Sequence, residues 1–121
     1  MRALLPALAL ALLVAPAHAQ TQAEMNMQAA TAYRAAQTAM TQRYDTLHAR
    51  LSPEARTLLE KSQRDWLKFA RSECAFRSSG VRGGSAYPMI VSTCMQDVTQ
   101  ARADALQRLL TCEEGDMSCP Y

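Results

Sequence analysis

The chain has 121 residues, the length of one small domain. Its 13 basic and 11 acidic side chains leave a formal net charge of only +2. Such a balance gives no general electrostatic reason to bind nucleic acid or an anionic membrane, so we expect neither as a partner.

The first 19 residues have the three-part layout of a secretory signal peptide. A positive charge at Arg2 precedes an apolar run from Ala3 to Val14, and Ala17-His18-Ala19 forms a small-x-small cleavage site. The run is shorter than the roughly 20 apolar residues that span a bilayer. The alternative, a buried N-terminal helix, does not explain why the three parts occur together and in order. We therefore predict cleavage after Ala19.

Cleavage at this point leaves residues 20–121 as the predicted mature chain, a single helical domain. It loses only one basic residue, Arg2, and so carries a net charge of +1. No cysteine lies near the cleavage point to accept a lipid anchor. The expected product is therefore soluble and either periplasmic or secreted.

Four cysteines lie in this domain, and an even count in an exported chain indicates two disulfides among three possible pairings. We favour Cys74–Cys94, which would tie the end of one helix to the start of the next. The partner pair, Cys112–Cys119, would close a short loop of turn-forming residues. A zinc site is disfavoured because the domain has no C-x-x-C pair and a single histidine, His48. The C-x-x-C-H signature of haem attachment is also missing, so we expect no metal and no cofactor.

A first helix is predicted from Thr21 to Leu51, a stretch without glycine or proline. Thr21 and Glu24 have the spacing of a capping box, in which each side chain accepts a hydrogen bond from the other residue's backbone amide. Apolar side chains then recur every three or four residues along one face. The members of this face are Tyr33, Ala36, Met40, Tyr44, Leu47 and Leu51.

Ser52 and Pro53 end this helix and begin a second one, which we predict to run to about Arg77. Its expected inner face consists of Leu59, Gln63, Trp66, Ala70 and Cys74, widened by Leu58, Leu67 and Phe69. Residues 78–85 hold three of the four glycines of the chain and are predicted to form a loop.

A third helix is predicted from around residues 86–88 to about Leu110, followed by an irregular tail. Its expected inner stripe consists of Val91, Cys94, Val98, Ala101, Ala105 and Leu109. Strand signals are nearly missing, and short links join the helices. The sequence therefore predicts an all-α fold, an antiparallel three-helix bundle stapled by two disulfides.

The candidate catalytic groups are each better explained as structural residues. His48 lies beside an apolar stripe, where a surface or half-buried helix residue is the simpler interpretation. The cysteines are expected to be oxidised and so unable to act as nucleophiles. Asp65 and Glu73 are about 12 Å apart along a helix, which exceeds both glycosidase geometries unless a neighbouring helix contributes a carboxylate. We therefore predict that the protein is not an enzyme.

Two polar residues, Gln63 and Arg102, lie on or beside the predicted apolar faces. A buried polar group needs a hydrogen-bond partner, and an arginine stem can lie on a core while its head stays in water. We interpret Gln63 and Arg102 as an internal brace, or Arg102 as a stem of this kind with its charged head in water. We interpret Trp66 as the central aromatic of the core, with a ligand platform as the alternative.

A longer pattern joins these residues. Gln63-x-x-Trp66-x-x-Phe69, Cys74, Gly83-Gly84-Ser85, Cys94 and Arg102-x-x-x-Leu106 occur in one order, after a helix with Ala36, Met40, Tyr44 and Leu47. From about Ala30 to Leu110 the chain resembles the family of small secreted bacterial domains named for the lysozyme-inhibitor lipoprotein LprI. The resemblance implies a helical domain with a Cys74–Cys94 disulfide, and inhibition of lysozyme as the activity. Lysozyme is then the expected partner.

Two features depart from the pattern of that family. No lipid-attachment cysteine is present, so membrane anchoring does not carry over. The tail from Cys112 to Cys119 is not part of the core that the family requires. A shared fold does not by itself establish a shared activity, and the alternative function is an envelope binding or stress-adaptor module without lysozyme activity.

The loop from Ser78 to Tyr87 is the predicted partner-binding segment. Lysozyme uses two carboxylates in a cleft, and a protruding loop can supply hydrogen-bond donors to them. Arg82 would pair with a carboxylate, Tyr87 would anchor the rim, and Ser85 is the third candidate. A disulfide at the base would pre-organise the loop. The alternative is an ordinary interhelical loop.

Overall fold

Three long helices make up most of the structure, a computed structural model that describes residues 20–121. They are α1 (Gln22–Arg50), α2 (Pro53–Arg77) and α3 (Tyr87–Leu110), with one turn of 3-10 helix at Ser79–Val81. No strand occurs within these residues, which confirms the predicted all-α class. None of the described helices is long and apolar enough to cross a membrane. The predicted signal peptide, residues 1–19, lies outside the described residues.

Capping residues explain where α1 and α2 begin. Thr21 Oγ1 accepts a hydrogen bond from the Glu24 amide at 3.2 Å, and Glu24 Oε2 accepts one from the Thr21 amide at 2.7 Å. This reciprocal pair is the predicted capping box, and it satisfies backbone donors that a helix start leaves free. Ser52 Oγ caps α2 by accepting from the Ala55 amide at 3.3 Å, and Pro53 occupies the first helical turn.

The bundle is antiparallel between consecutive helices, as predicted. α1 and α3 run parallel and approach each other most closely, while α2 runs antiparallel to both. Small side chains permit the close approach, since Ala36 on α1 and Ala103 on α3 are almost completely buried. Polar contacts join α1 to α3 or the loop before it at three heights: Asn26 to the Ser85 carbonyl, Arg43 to Asp104, and Arg50 to the Leu110 carbonyl.

Two clusters of buried side chains stack along the bundle. The first lies toward the α1–α2 connection and consists of Met40, Leu47, Leu51, Leu59, Ala103 and Leu106. The second surrounds a disulfide and consists of Ala70, Cys74, Cys94 and Met95. The half-buried Trp66 packs against both clusters and so joins the two parts of the core.

The inner faces of α2 and α3 differ in part from the predicted ones. Of the predicted α3 stripe only Cys94 is buried, whereas the helix buries Cys94, Met95, Thr99, Ala103 and Leu106. Val91, Val98 and Leu109 of the predicted stripe pack against the core from half-buried positions, but the prediction leaves out Thr99, whose polar side chain is only 1% exposed. The expectation that Leu58 and Phe69 widen the inner face of α2 is also wrong, since they are 69% and 56% exposed.

Both predicted disulfides are confirmed. Cys74 on α2 is bonded to Cys94 on α3, with Cα atoms 5.6 Å apart, and Cys112 is bonded to Cys119 in the tail. No cysteine within residues 20–121 is left free. The first bond ties α2 to α3 near the loop that joins them, and the second closes a short segment after α3.

Candidate functional site

The glycine-rich loop between α2 and α3 closes one end of the bundle. It extends from Ser78 to Ala86, and the Cys74–Cys94 disulfide joins its two supporting helices near the loop. The start of α1 also reaches it, because Asn26 Nδ2 donates a hydrogen bond to the Ser85 carbonyl at 3.0 Å. All three helices therefore hold this loop in place.

Hydrogen bonds inside the loop define its path. The buried Ser78 hydroxyl donates to the Cys74 carbonyl at 2.6 Å, where α2 ends. After the 3-10 turn, the Gly84 amide donates to the Val81 carbonyl at 3.0 Å. Gly83 has a φ of +83°, which residues with a Cβ rarely adopt, and a Cβ on Gly84 would lie 3.2 Å from the Val81 oxygen. The tight turn therefore favours glycine at both positions.

The sequence-predicted partner-binding residues lie around this loop. Arg82 is exposed directly after the 3-10 turn, and none of the ion pairs within residues 20–121 includes it. Ser85 is also exposed, and Tyr87 is half-buried at the first position of α3. The loop thus presents a cation and a hydroxyl at its rim. Sequence reasoning missed Asn26, whose contact with Ser85 spans 59 residues and has no local signal.

A polar cluster centred on Arg102 lies between α2 and α3, away from the loop. Arg102 Nε donates to Gln63 Oε1 at 3.0 Å, and Arg102 Nη2 donates to Ser62 Oγ at 3.1 Å. Gln63 Nε2 lies 3.5 Å from Met40 Sδ, so the cluster also reaches α1. Partial burial lowers the pKa of the Arg102 guanidinium, while Tyr44 opposes this shift.

Apolar grooves lie on both sides of Arg102, which lines each of them. One groove has a volume of about 210 Å³ and is lined mainly by Leu47, Leu51, Leu58, Leu59 and Leu109. The other has a volume of about 300 Å³ and is lined by Trp66, Phe69, Val98, Ala101 and Ala105. The sequence did not predict either groove. Leu58 and Phe69 line their outer walls, and from their apolar side chains they were expected to be buried in the core.

Two other polar sets have structural explanations. His48 Nε2 lies 2.9 Å from Glu60 Oε1, and this contact joins α1 to α2. In the tail, ligand-type atoms of Cys112, Asp116 and Cys119 lie within 4.8 Å of one another. Because the two sulfur atoms are bonded to each other, only the Asp116 carboxylate remains available, and a single carboxylate does not form a structural metal site.

The fold and these surfaces define the class of protein. It is a small helical bundle, cross-linked by disulfides, that presents an ordered loop at one end and apolar grooves along one side. Surfaces of this kind are suited to binding another molecule.

A family model described as "Lysozyme inhibitor LprI" matches residues 15–106. The match covers most of the chain, including α1, α2, the loop and α3 as far as Leu106. The chain therefore belongs to the LprI lysozyme-inhibitor family, which confirms the resemblance seen in the sequence. The Cys112–Cys119 segment lies beyond the matched residues.

A relative from Rhizobium meliloti (strain 1021), described only as an uncharacterized protein, is 31% identical over 139 residues. The alignment includes 95% of this chain and the whole of the relative. No solved structure matches the chain.

Proposed function

We propose that the protein is an inhibitor of lysozyme that acts outside the cytoplasm. The observation that carries this proposal is the family match over residues 15–106. The signal-peptide pattern of residues 1–19 supports export, and two disulfides suit an oxidising compartment. In this proposal the mature chain begins at Gln20 and is periplasmic or secreted.

The loop of residues 78–86 is the proposed inhibitory segment. Lysozyme hydrolyses its substrate with two carboxylates that flank the bond to be cleaved. Arg82 offers an exposed guanidinium, a group that makes strong charge-assisted hydrogen bonds to carboxylates. Insertion of Arg82 into the cleft would occupy these carboxylates and exclude the substrate.

The order of the loop supports this mechanism. A segment that is already fixed loses less conformational entropy on binding than a flexible one. The Cys74–Cys94 disulfide, the Ser78 hydroxyl and the Asn26 side chain all restrain the loop before it meets a partner. Tyr87, at the junction with α3, is the proposed aromatic anchor at the rim, and Ser85 is proposed to contribute further hydrogen bonds.

A lysis assay tests the proposal. Residues 20–121 are added to a c-type lysozyme, and the clearing of a cell-wall suspension is followed. We expect dose-dependent inhibition, and a loss of potency of roughly tenfold or more for Arg82→Glu, because the variant sets a carboxylate against carboxylates. Arg108→Glu is the matched control, since Arg108 is an exposed arginine near the opposite end of α3.

The possible results of this assay test two claims separately: that the protein inhibits lysozyme, and that the loop with Arg82 is the contact surface. Inhibition that Arg82→Glu removes and Arg108→Glu retains supports both. Inhibition that survives equally in the two variants contradicts the loop as the contact surface but keeps the function. If the unaltered protein has no effect at micromolar excess, the function is overturned in favour of an envelope binding module. Lysis by the protein alone would indicate a hydrolase.

A further inference from the structure

Arg102 is a half-buried cation whose two hydrogen-bond partners are both neutral. A guanidinium has five N–H donors, and the bonds to Gln63 Oε1 and Ser62 Oγ use two of them. None of the ion pairs within residues 20–121 includes Arg102. A partly desolvated cation without a counterion is unfavourable, so an anion at its free donors would be stabilised there.

The surface beside Arg102 is apolar. Leu58, Leu59 and Leu109 line the smaller groove, and Leu58 remains 69% exposed. Phe69, on the side of the other groove, is 56% exposed. Exposed apolar surface that converges on one charged group is the usual composition of a ligand site.

The dimensions limit what can occupy this surface. Arg102 reaches from α3 to Ser62 and Gln63 on α2, so it divides the trough between the two helices into two short grooves. A helix of a protein partner is about 10–12 Å across and needs a continuous trough. The smaller groove, of about 210 Å³, also lies below the roughly 300–1,000 Å³ of sites for drug-sized ligands. A single hydrocarbon chain fits such a groove.

We propose that the smaller groove binds an amphiphile with a carboxylate head and one acyl chain, such as a medium-chain fatty acid. The carboxylate accepts hydrogen bonds from the free Nη1 and Nη2 donors of Arg102 in the side-by-side geometry that guanidinium favours. The chain lies against Leu58, Leu59 and Leu109. This site is separate from the loop that carries Arg82, and it does not depend on inhibition of lysozyme.

Trp66 provides the readout for a binding experiment. It is the one tryptophan of the chain, and it lines the adjoining groove together with Arg102. Residues 20–121 are titrated with decanoate below its micelle concentration while tryptophan fluorescence is recorded. Decanol supplies the same chain without charge, and acetate supplies the head without the chain. We expect a saturable response to decanoate, an affinity for decanol that is weaker by roughly tenfold or more, and no response to acetate.

Two variants identify the groups involved. Arg102→Met removes the charge and keeps an unbranched apolar stem, so decanoate affinity should fall roughly tenfold while decanol affinity changes little. Leu58→Glu alters an exposed side chain of the groove and should also weaken decanoate binding, by like-charge repulsion, without endangering the fold. Arg108→Met, an exposed arginine outside both grooves, is the matched control and should bind normally. Circular dichroism melting checks that each variant is folded.

Several results would overturn the proposal. These are equal affinities for decanoate and decanol, an unchanged decanoate affinity in Arg102→Met and Leu58→Glu, or no saturable response at all. An apparent affinity that falls as the protein concentration rises would show that a second copy of the chain covers the groove instead. Arg82→Glu should leave decanoate binding unchanged, so failure of this proposal and failure of the lysozyme proposal are distinguishable.

Discussion

Arg102 on α3 donates from Nε to Gln63 Oε1 on α2 at 3.0 Å, and this contact joins the same two helices that the Cys74–Cys94 disulfide joins nearer the loop. The helices are thus connected covalently beside the loop and by hydrogen bonds further along. Gln63 also lies 3.5 Å from Met40 Sδ, so one side chain contacts both α1 and α3.

Gln63→Leu should lower the free energy of unfolding by about 1–3 kcal/mol, because it leaves the half-buried Arg102 Nε–H without its acceptor. Urea unfolding measures the change. Adding Arg102→Leu to this variant should restore part of the loss, since the donor is then removed together with its acceptor. Gln107→Leu, on the exposed surface of α3, is the control and should stay within about 0.5 kcal/mol of the unaltered protein. Equal changes in the free energy of unfolding for Gln63→Leu and Gln107→Leu would contradict a stabilising contact between Gln63 and Arg102.

Thr99→Val should raise the free energy of unfolding by about 1 kcal/mol. Thr99 Oγ1 is buried and has no hydrogen-bond partner within residues 20–121, and valine replaces the hydroxyl by a methyl group of nearly the same shape. Thr41→Val is the matched control, because Thr41 is exposed on α1 and its hydroxyl already faces water. Thermal and urea unfolding give the comparison. A less stable Thr99→Val protein would show that the hydroxyl has a partner in solution.

Local patterns predicted the helix ends and the disulfide pairing. Thr21 with Glu24, and Ser52 with Pro53, act within one helical turn, so their spacing along the chain determines their geometry. Cys94 follows Cys74 by 20 residues, with one loop between two predicted helices. That arrangement already favoured a bond between the two helices.

Rotation about the helix axis and long-range contacts were harder to predict. α3 carries alanine on several sides, so apolar periodicity alone does not distinguish the stripe through Val98 from the one through Thr99. An apolar residue type also does not show whether the side chain is covered, as the exposed Leu58 and Phe69 demonstrate. The Arg102 grooves and the support of the loop by α1 are properties of the assembled bundle.

Removal of the Cys74–Cys94 disulfide should destabilise the protein more than removal of the Cys112–Cys119 disulfide. In the chain-entropy model, opening the first loop, which spans 20 residues, costs about 3.3 kcal/mol, and opening the second, which spans 7 residues, costs about 2.4 kcal/mol. Paired alanine substitutions at each bridge, compared by urea unfolding, measure the difference. The Cys112–Cys119 pair is the control for the loop, because only the Cys74–Cys94 bond lies beside it. Only removal of the Cys74–Cys94 bond should weaken the proposed inhibition of lysozyme. A larger loss of stability on removal of the Cys112–Cys119 disulfide would contradict this prediction.

The pKa of the Asp65 carboxyl should lie below its usual range, because Lys61 Nζ donates a hydrogen bond to Asp65 Oδ2 and the positive charge of Lys61 adds to the effect. A lowered pKa in the folded state means that the ion pair contributes stability above the ordinary carboxyl pKa and loses it as the pH falls through the lowered value. Lys61→Met should therefore raise the pKa of Asp65, observed by carboxyl NMR titration. Lys68→Met, which removes a charge that acts on Asp65 more weakly, should raise it less. Equal shifts in both variants would contradict the role of the hydrogen bond.

Gly83→Ala should lower the free energy of unfolding by about 1–2 kcal/mol, the cost of holding a residue with a Cβ in a left-handed conformation. The backbone at Gly83 has a φ of +83°, and the space around a Cβ there is open, so the effect is conformational and not a steric clash. Gly80→Ala is the matched control within the same loop, since its φ is not in the left-handed region and its surroundings are equally open. It should be neutral, or stabilising by less than about 1 kcal/mol, because alanine restricts the unfolded chain.

Urea unfolding checks the stabilities, and the lysis assay shows whether the shape of the loop matters for inhibition. If Gly83→Ala weakens inhibition while Gly80→Ala does not, the ordered turn next to Arg82 contributes to binding. Equal potency would show that the partner does not depend on that turn.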